Sequence, residues 1–307
     1  MKKITVIGAG NVGATTAQLI AEKGFAHIVL LDTAEGMAKG KALDIQEACP
    51  LWGSSSKVTG TADYKDTRDS DIVVITAGLA RKPGMSRDDL LKSNALIVKS
   101  VAEQICQTSP QAIVIVVTNP MDVMAYLTFK VTGFPAHRII GMGGILDTAR
   151  FSTFIAEELK VSPDSIKGLV LGGHGDSMVP MPRFTTVSGI SLPALMKSER
   201  MEALIERTRQ GGAEIVGYLK TGSAFYGPGA SVVEIVEAIL FNKGKILSCA
   251  VYLNGEYGID SIFTGVPVKI ASRGVEEIVI LDLTDEERSQ LQASAMAVNK
   301  LVQKLEI

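Results

Sequence analysis

An excess of either charge is missing from this chain: Lys+Arg total 31 against Asp+Glu 33, a formal net charge of -2. No bulk field is available for nucleic acid or an anionic membrane surface, so any anion site has to be local. Cysteine is scarce. Cys49, Cys106 and Cys249 are odd in number, far apart and without CxxC spacing, which argues against a disulfide framework and a zinc site and fits a reducing, cytoplasmic setting. Long apolar runs are absent as well, none approaching the ~18 residues of a spanning helix. The run Ile4-Thr5-Val6-Ile7 behind Met1-Lys2-Lys3 is too short for a signal peptide and meets glycine at once. Repeats, low-complexity tracts and Pro- or Ser-rich linkers are also lacking, so the parts of the chain are expected to pack tightly.

What is present is ample apolar material. At 307 residues and 46% hydrophobic, the chain can bury a large core in one large or two ordinary domains. Short β-branched runs at Ile4 to Ile7, Ile28 to Leu31, Ile72 to Thr76 and Ala112 to Val117 read as buried parallel strands. Helical patterns over Asn11 to Lys23, Ala34 to Ala48 and Asp88 to Gln107 alternate with them. That order predicts an α/β fold, a Rossmann-type doubly wound parallel sheet over residues 1–144. After Gly144 the rhythm changes: a helix at Ile145 to Leu159, strand-like stretches at Ser165 to Leu171 and Phe184 to Val187, long helices, strands at Leu247 to Tyr252 and Pro267 to Ala271, and a closing helix from Asp285 to Leu305. Residues 145–307 are therefore expected to form a second, α+β domain, and the motifs it carries make it the candidate substrate-binding and catalytic domain.

Gly8-Ala9-Gly10-Asn11-Val12-Gly13 follows a strand and opens a helix, the context in which GxGxxG signals a dinucleotide site. Gly8 permits the turn, Gly10 leaves room for pyrophosphate, Gly13 lets helix and strand close up, and the helix N-terminus offers free N–H groups. Asp32 ends the next strand, where a carboxylate accepts from the adenosine ribose hydroxyls and opposes a 2′-phosphate, which predicts NAD over NADP. The competing reading makes the glycines a plain turn and Asp32 a local cap. Ala77-Gly78 is a weaker sign of the same kind.

Four further islands suit a small dianion. Gly78-Leu79-Ala80-Arg81-Lys82-Pro83-Gly84-Met85-Ser86-Arg87-Asp88 is a basic, Gly- and Pro-containing loop beyond a strand's carboxyl end, although such runs are more often solvated. Val117-Thr118-Asn119-Pro120 follows another strand; Asn-Pro is also a common turn initiator. Asp147 and Arg150 share a helix face, for which a surface ion pair is the ordinary explanation. Among the three histidines, His27 and His137 lack glycine-rich or acidic company, whereas Gly172-Gly173-His174-Gly175-Asp176 frames His174 with small residues that let a substrate approach.

In their order and over essentially the whole chain, these pieces resemble the lactate/malate dehydrogenase superfamily, and within it the lactate-dehydrogenase-like malate dehydrogenases of bacteria. The resemblance implies that His174 takes the hydroxyl proton, Asp147 orients its ring, Arg150 grips the C1 carboxylate through a bidentate fork, and Arg87 polarises the carbonyl. It also implies that Asn119 seats substrate and nicotinamide, and that Asn94, Val117 and Thr118 join Gly8, Ala9, Gly10, Asn11, Val12, Gly13 and Asp32 along NAD. Arg81 would select a second carboxylate where lactate-specific relatives carry glutamine. Closure of the Arg81 to Arg87 loop over the substrate, with Pro83 and Gly84 at its hinge or tip, is expected from the same likeness. The stretch Thr221 to Pro228 resembles the malate branch at the pocket wall, and reads equally as a helix break.

The expected reaction is the NAD-dependent oxidation of (S)-malate to oxaloacetate, a step of the tricarboxylic acid cycle, in a homodimer or homotetramer with no metal. Stretches such as Gln18 to Phe25 and Val232 to Leu240 could carry subunit contacts or simply be core. A dehydrogenase for lactate or another 2-hydroxy acid is the nearest rival. From another class, a non-catalytic NADH-binding sensor would need the glycine loop but neither His174 nor Asp147.

Overall fold

The computed structural model describes residues 1–79 and 87–305, the side chain of Arg87 excepted. Arg81 and the loop around Pro83 and Gly84 lie outside the described residues.

Six strands pair in parallel, β1 (Lys2–Ile7), β2 (Ala26–Leu31), β3 (Val58–Thr61), β4 (Ile72–Ile75), β5 (Ile113–Val116) and β6 (Ile139–Gly141), in the spatial order β3-β2-β1-β4-β5-β6. Their middles are covered on both faces: Ile4, Val6, Ile72, Val74, Val114 and Ile115 are fully buried. This is why the runs read as unbroken β-branched segments rather than as alternation. Burying each such side chain contributes roughly 1.5–3 kcal/mol. β3 and β6 escaped the sequence reading for a physical reason. The first is a four-residue edge strand, Val-Thr-Gly-Thr, buried only at its two ends, and the second is a three-residue strand.

Strand order reverses between β1 and β4, which opens a crevice beyond their carboxyl ends. The first crossover helix, α1 (Asn11–Lys23), ends at Gly24, whose φ of 71° supplies the left-handed cap. Two more helices, α2 (Glu35–Ala48) and α3 (Arg87–Thr108), and then α4 (Met121–Thr132) complete the windings.

The second half begins with α5 (Gly143–Leu159) and continues through short strands β7 (Ile166–Lys167), β8 (Val170–Leu171), β9 (Val179–Pro180), β10 (Thr186–Val187) and β11 (Ile190–Ser191). Helices α6 (Leu192–Leu195), α7 (Ser198–Leu219) and α8 (Tyr226–Leu240) follow, then β12 (Lys245–Asn254), β13 (Asp260–Ala271), β14 (Gly274–Ile278) and α9 (Asp285–Val302). These last three strands are antiparallel and extend the first sheet, β12 joining β6 through Ala250 and Gly141. One hydrophobic core thus runs through both halves, and a smaller one, around Phe151, Ile155, Val170 and Leu204, lies under α5 and α7. Helix α1 packs on α8 within the chain, with Ile20, Val232 and Ile235 fully buried. Among the described residues, no helix is long and apolar enough to cross a membrane.

Candidate active site

The three glycines of the first loop answer to three different constraints. Gly8 has a φ of 104°, and a Cβ there would lie 2.8 Å from the Ala77 nitrogen. At Gly13 a Cβ would overlap the Gly8 carbonyl oxygen, so the tight helix-to-strand approach excludes any side chain. Gly10 faces open space, with no neighbour within 4 Å of a Cβ. Packing does not demand that third glycine. A bare backbone beside the unpaired N–H groups at the start of α1 is what a pyrophosphate requires, so the loop fits a dinucleotide.

Half-buried Asp32 accepts the Ala9 N–H at 2.7 Å and the Ala34 N–H at 2.9 Å. It therefore braces the loop as well as presenting a carboxylate at the end of β2. From α2, Lys41 donates to the Ala9 carbonyl at 2.7 Å. Asn11 is exposed and Val12 partly buried at the head of α1.

Beyond β5, Thr118 is buried and donates to the Ala77 carbonyl at 2.7 Å, while Asn119 is exposed and Val117 partly so. Asn94 is 1% exposed. Its side chain accepts from the Leu79 N–H at 2.7 Å and donates to the Asn119 carbonyl at 2.7 Å, tying together the chain segments that follow β4 and β5. Its position is that of a brace between two crevice walls.

His174 and Asp147, which the sequence separates, meet at Nδ1 to Oδ2, 2.8 Å apart. Small residues make this possible. Gly172 and Gly175 turn the chain with φ of 82° and 115°, and a Cβ on Gly143 would lie 2.6 Å from that of His174. Helix α5 thus presses its first turn against the histidine and delivers Asp147, one turn on, to the ring. The other oxygen of Asp147 accepts from Arg150 Nη1 at 3.3 Å. Side-chain exposure is 2% for Asp147, 13% for His174 and 14% for Arg150, so the surface ion pair allowed by the sequence does not occur. Two α7 glycines leave the slot for the arginine: a Cβ on Gly211 would sit 3.2 Å from Arg150 Cδ.

Burial alone would pull the proton affinity of His174 down, but the charge and hydrogen bond of Asp147 outweigh it, and the net shift is upward. Burial lowers that of Arg150, against the pull of Asp147. The buried Arg150 Nε has no acceptor among the described residues. Such a donor gains free energy when an anion arrives.

Asp122, on the first turn of α4, was not singled out from sequence. It is 4% exposed, accepts the backbone N–H of His174 at 2.8 Å through Oδ2, and leaves Oδ1 without a partner among the described residues. Burial pushes its carboxyl up to about 6. A lone carboxylate in the apolar run Met121 to Leu127 was the available signal. The region from Thr221 to Pro228 also falls at this site, where a Cβ on Gly227 would lie 2.9 Å from Leu146, the neighbour of Asp147. Arg87 opens α3, its side chain outside the described set, as Arg81 is throughout. Among the described residues no cluster of three or more His, Cys, Asp or Glu could hold a metal.

A Rossmann-type sheet with a phosphate-ready glycine loop, joined to a buried His-Asp-Arg cluster, defines a dinucleotide-binding protein of the dehydrogenase class. Family models narrow it. The lactate/malate dehydrogenase NAD binding domain matches residues 2–141, and the lactate/malate dehydrogenase alpha/beta C-terminal domain matches residues 145–306. A malate dehydrogenase of Bacillus subtilis is 53% identical over 306 residues, covering 99% of this chain and 98% of the relative. The solved malate dehydrogenase of Salinibacter ruber superposes with a TM-score of 0.95 at 50% identity, over 99% of this chain and 97% of that one. A lactate dehydrogenase of Cryptosporidium parvum, solved with lactic acid and nicotinamide adenine dinucleotide, also gives 0.95, at 40% identity over 98% and 97% of the two chains. The chain belongs to the lactate/malate dehydrogenase family.

Proposed function

We propose that this chain is an NAD-dependent malate dehydrogenase that oxidises (S)-malate to oxaloacetate, with residues 1–144 holding the dinucleotide and residues 145–307 the catalytic groups. The contact that carries the reading is His174 Nδ1 to Asp147 Oδ2 at 2.8 Å, where burial lowers the proton affinity of the ring and Asp147 more than restores it, for a net upward shift. With Nδ1 engaged, Nε2 is left to take the C2 hydroxyl proton, and Asp147 stabilises the imidazolium that results. NAD, when bound along the strand ends, supplies the acceptor for the hydride that leaves C2. Arg150 holds the C1 carboxylate, which gives an acceptor to the Nε that lacks one among the described residues. Arg87 stabilises charge on the C2 oxygen, and Asn119 helps seat the substrate.

A base that must be neutral to accept a proton makes malate oxidation rise with pH through the elevated value of His174. Oxaloacetate reduction, which needs the imidazolium, falls over the same range.

Malate and lactate dehydrogenases superpose on this chain with the same TM-score, so backbone shape does not choose the substrate. We assign that choice to Arg81, which pairs with the second carboxylate of oxaloacetate and is left as an unpaired, partly desolvated charge over pyruvate. The test is NADH consumption with oxaloacetate beside pyruvate, for the wild type and for Arg81→Gln. Wild type is expected to favour oxaloacetate, and the substitution to shrink that preference by on the order of 100-fold, the loss of one buried ion pair. An unchanged preference would remove Arg81 from specificity. Wild type active on pyruvate alone would favour a lactate dehydrogenase, and wild type that binds NADH without turning over either acid would favour a sensor. A cytoplasmic homodimer or homotetramer working in the tricarboxylic acid cycle completes the reading.

A further inference from the structure

Lys41 stands out among the lysines of α2. Lys39, two positions earlier, points to solvent and pairs with Glu35 at 2.7 Å. Lys41 is half-buried and turns inward, where its Nζ meets a neutral acceptor, the Ala9 carbonyl, at 2.7 Å. On the opposite side of the same residue, the Ala9 N–H donates to Asp32 Oδ2 at 2.7 Å. Ala9, between the first two glycines of the loop, is therefore clamped between a cation and an anion. Two hydrogen bonds and the width of one residue put the two charges within about 9 Å of each other, comparable to the Debye length of about 8 Å at physiological salt, and part of the space between them is protein rather than electrolyte. An ammonium has three donors, and the Ala9 carbonyl uses one.

We propose that Lys41 is a positioning and specificity residue for the dinucleotide, holding the glycine loop in its phosphate-receiving shape and supplying a positive charge that Asp32 must oppose for NADP to be refused. This rests on the reading of the loop as an NAD site. A phosphate dianion on the adenosine ribose beside Asp32 is repelled by that carboxylate and attracted by the ammonium beyond it. Cofactor choice is then a difference between two opposing terms rather than the work of one carboxylate. Removing Asp32 alone unmasks the cation, and removing both leaves neither attraction nor repulsion.

Fluorescence titration of NADH and NADPH into four proteins separates these contributions: wild type, Lys41→Met, Asp32→Ser and the double variant. Lys41→Met is expected to weaken NADH binding about 5- to 10-fold while kcat at saturating NADH stays within about 2-fold, as expected for lost ground-state binding. Asp32→Ser is expected to tighten NADPH about 10-fold relative to wild type, and Lys41→Met in that background to reverse most of the gain. The ratio of the two affinities, taken on one sample, does not depend on the fraction folded, and thermal unfolding without ligand reports damage to the brace separately. NADH affinity unchanged in Lys41→Met, or an NADPH gain in Asp32→Ser that survives Lys41→Met, overturns the proposal. Wild type that binds neither nucleotide would instead sink the reading of the loop beneath it.

Discussion

At the glycine loop the working groups are main-chain N–H groups, the open face of Gly10 and the half-buried Asp32, whereas around His174 they are ionisable side chains withdrawn from water. On the proposed function the first region receives a large anion with dipoles already fixed by α1, and little has to be desolvated to make it. The second holds Asp147, His174, Arg150 and Asp122 together at low exposure, and shows the cost: an Arg150 Nε and an Asp122 Oδ1 without partners among the described residues, and displaced proton affinities. Binding can be built from backbone near one turn. Proton transfer needs side chains whose charge the fold has perturbed.

The division breaks most visibly if His174 serves both regions. His174→Asn should lower kcat by on the order of 1,000-fold, the usual scale of a lost general acid/base, with the NADH dissociation constant within about 2-fold of wild type. Stopped-flow turnover beside NADH titration reads both, and a parallel loss of binding would merge the two halves of the site.

Gly13→Ala probes the other side. Its Cβ would overlap the Gly8 carbonyl, so the loop must shift, with an expected cost of about 3 kcal/mol or more in denaturant unfolding and a weakened NADH affinity. The proton affinity of His174, followed by the pH dependence of reduction, should not move. If it does, the regions are coupled through the sheet.

The smallest effect sharpens the electrostatic side. Asp122 is raised from 3.8 to about 6 by burial, so its folded form prefers the neutral carboxyl. A raised value contributes stability that is present below the unfolded pKa near 4 and lost as pH rises through about 6. Asp122→Asn should remove that part of the pH dependence, about 2 to 3 kcal/mol between pH 4 and 7. His174, also shifted upward, contributes with the same sign and remains. Urea unfolding across this range checks it, and an identical slope in the variant would show that Asp122 does not titrate there.

Legibility in the sequence followed the same divide. Helix α1 runs from Asn11 to Lys23 as the pattern predicts, because a glycine turn, an apolar stripe and a terminal glycine act within a few residues of one another. Strands β1, β2, β4 and β5 were visible as apolar β-branched runs, while β3 and β6 were too short or too mixed to stand out. At the site, His174 was found through its glycines and Asp147 through its spacing to Arg150. Asp122 and Lys41 were not found, since each acts on a backbone group far along the chain: the His174 N–H and the Ala9 carbonyl. Nor did residue order reveal that β12 to β14 would extend the first sheet, because antiparallel pairing to β6 joins segments from opposite halves.

By itself the sequence determined the winding of the first half, the glycine turn and its acid, and the stock of residues for handling a small dianion; these depend on local backbone freedom and on periodic burial. Only the tertiary structure decided that Asp147 meets the ring of His174 rather than solvent, that Asp122 is buried beneath it, and that Lys41 and Asp32 grip one peptide from two sides. Those outcomes depend on distance and dielectric, quantities that a linear order of residues does not contain.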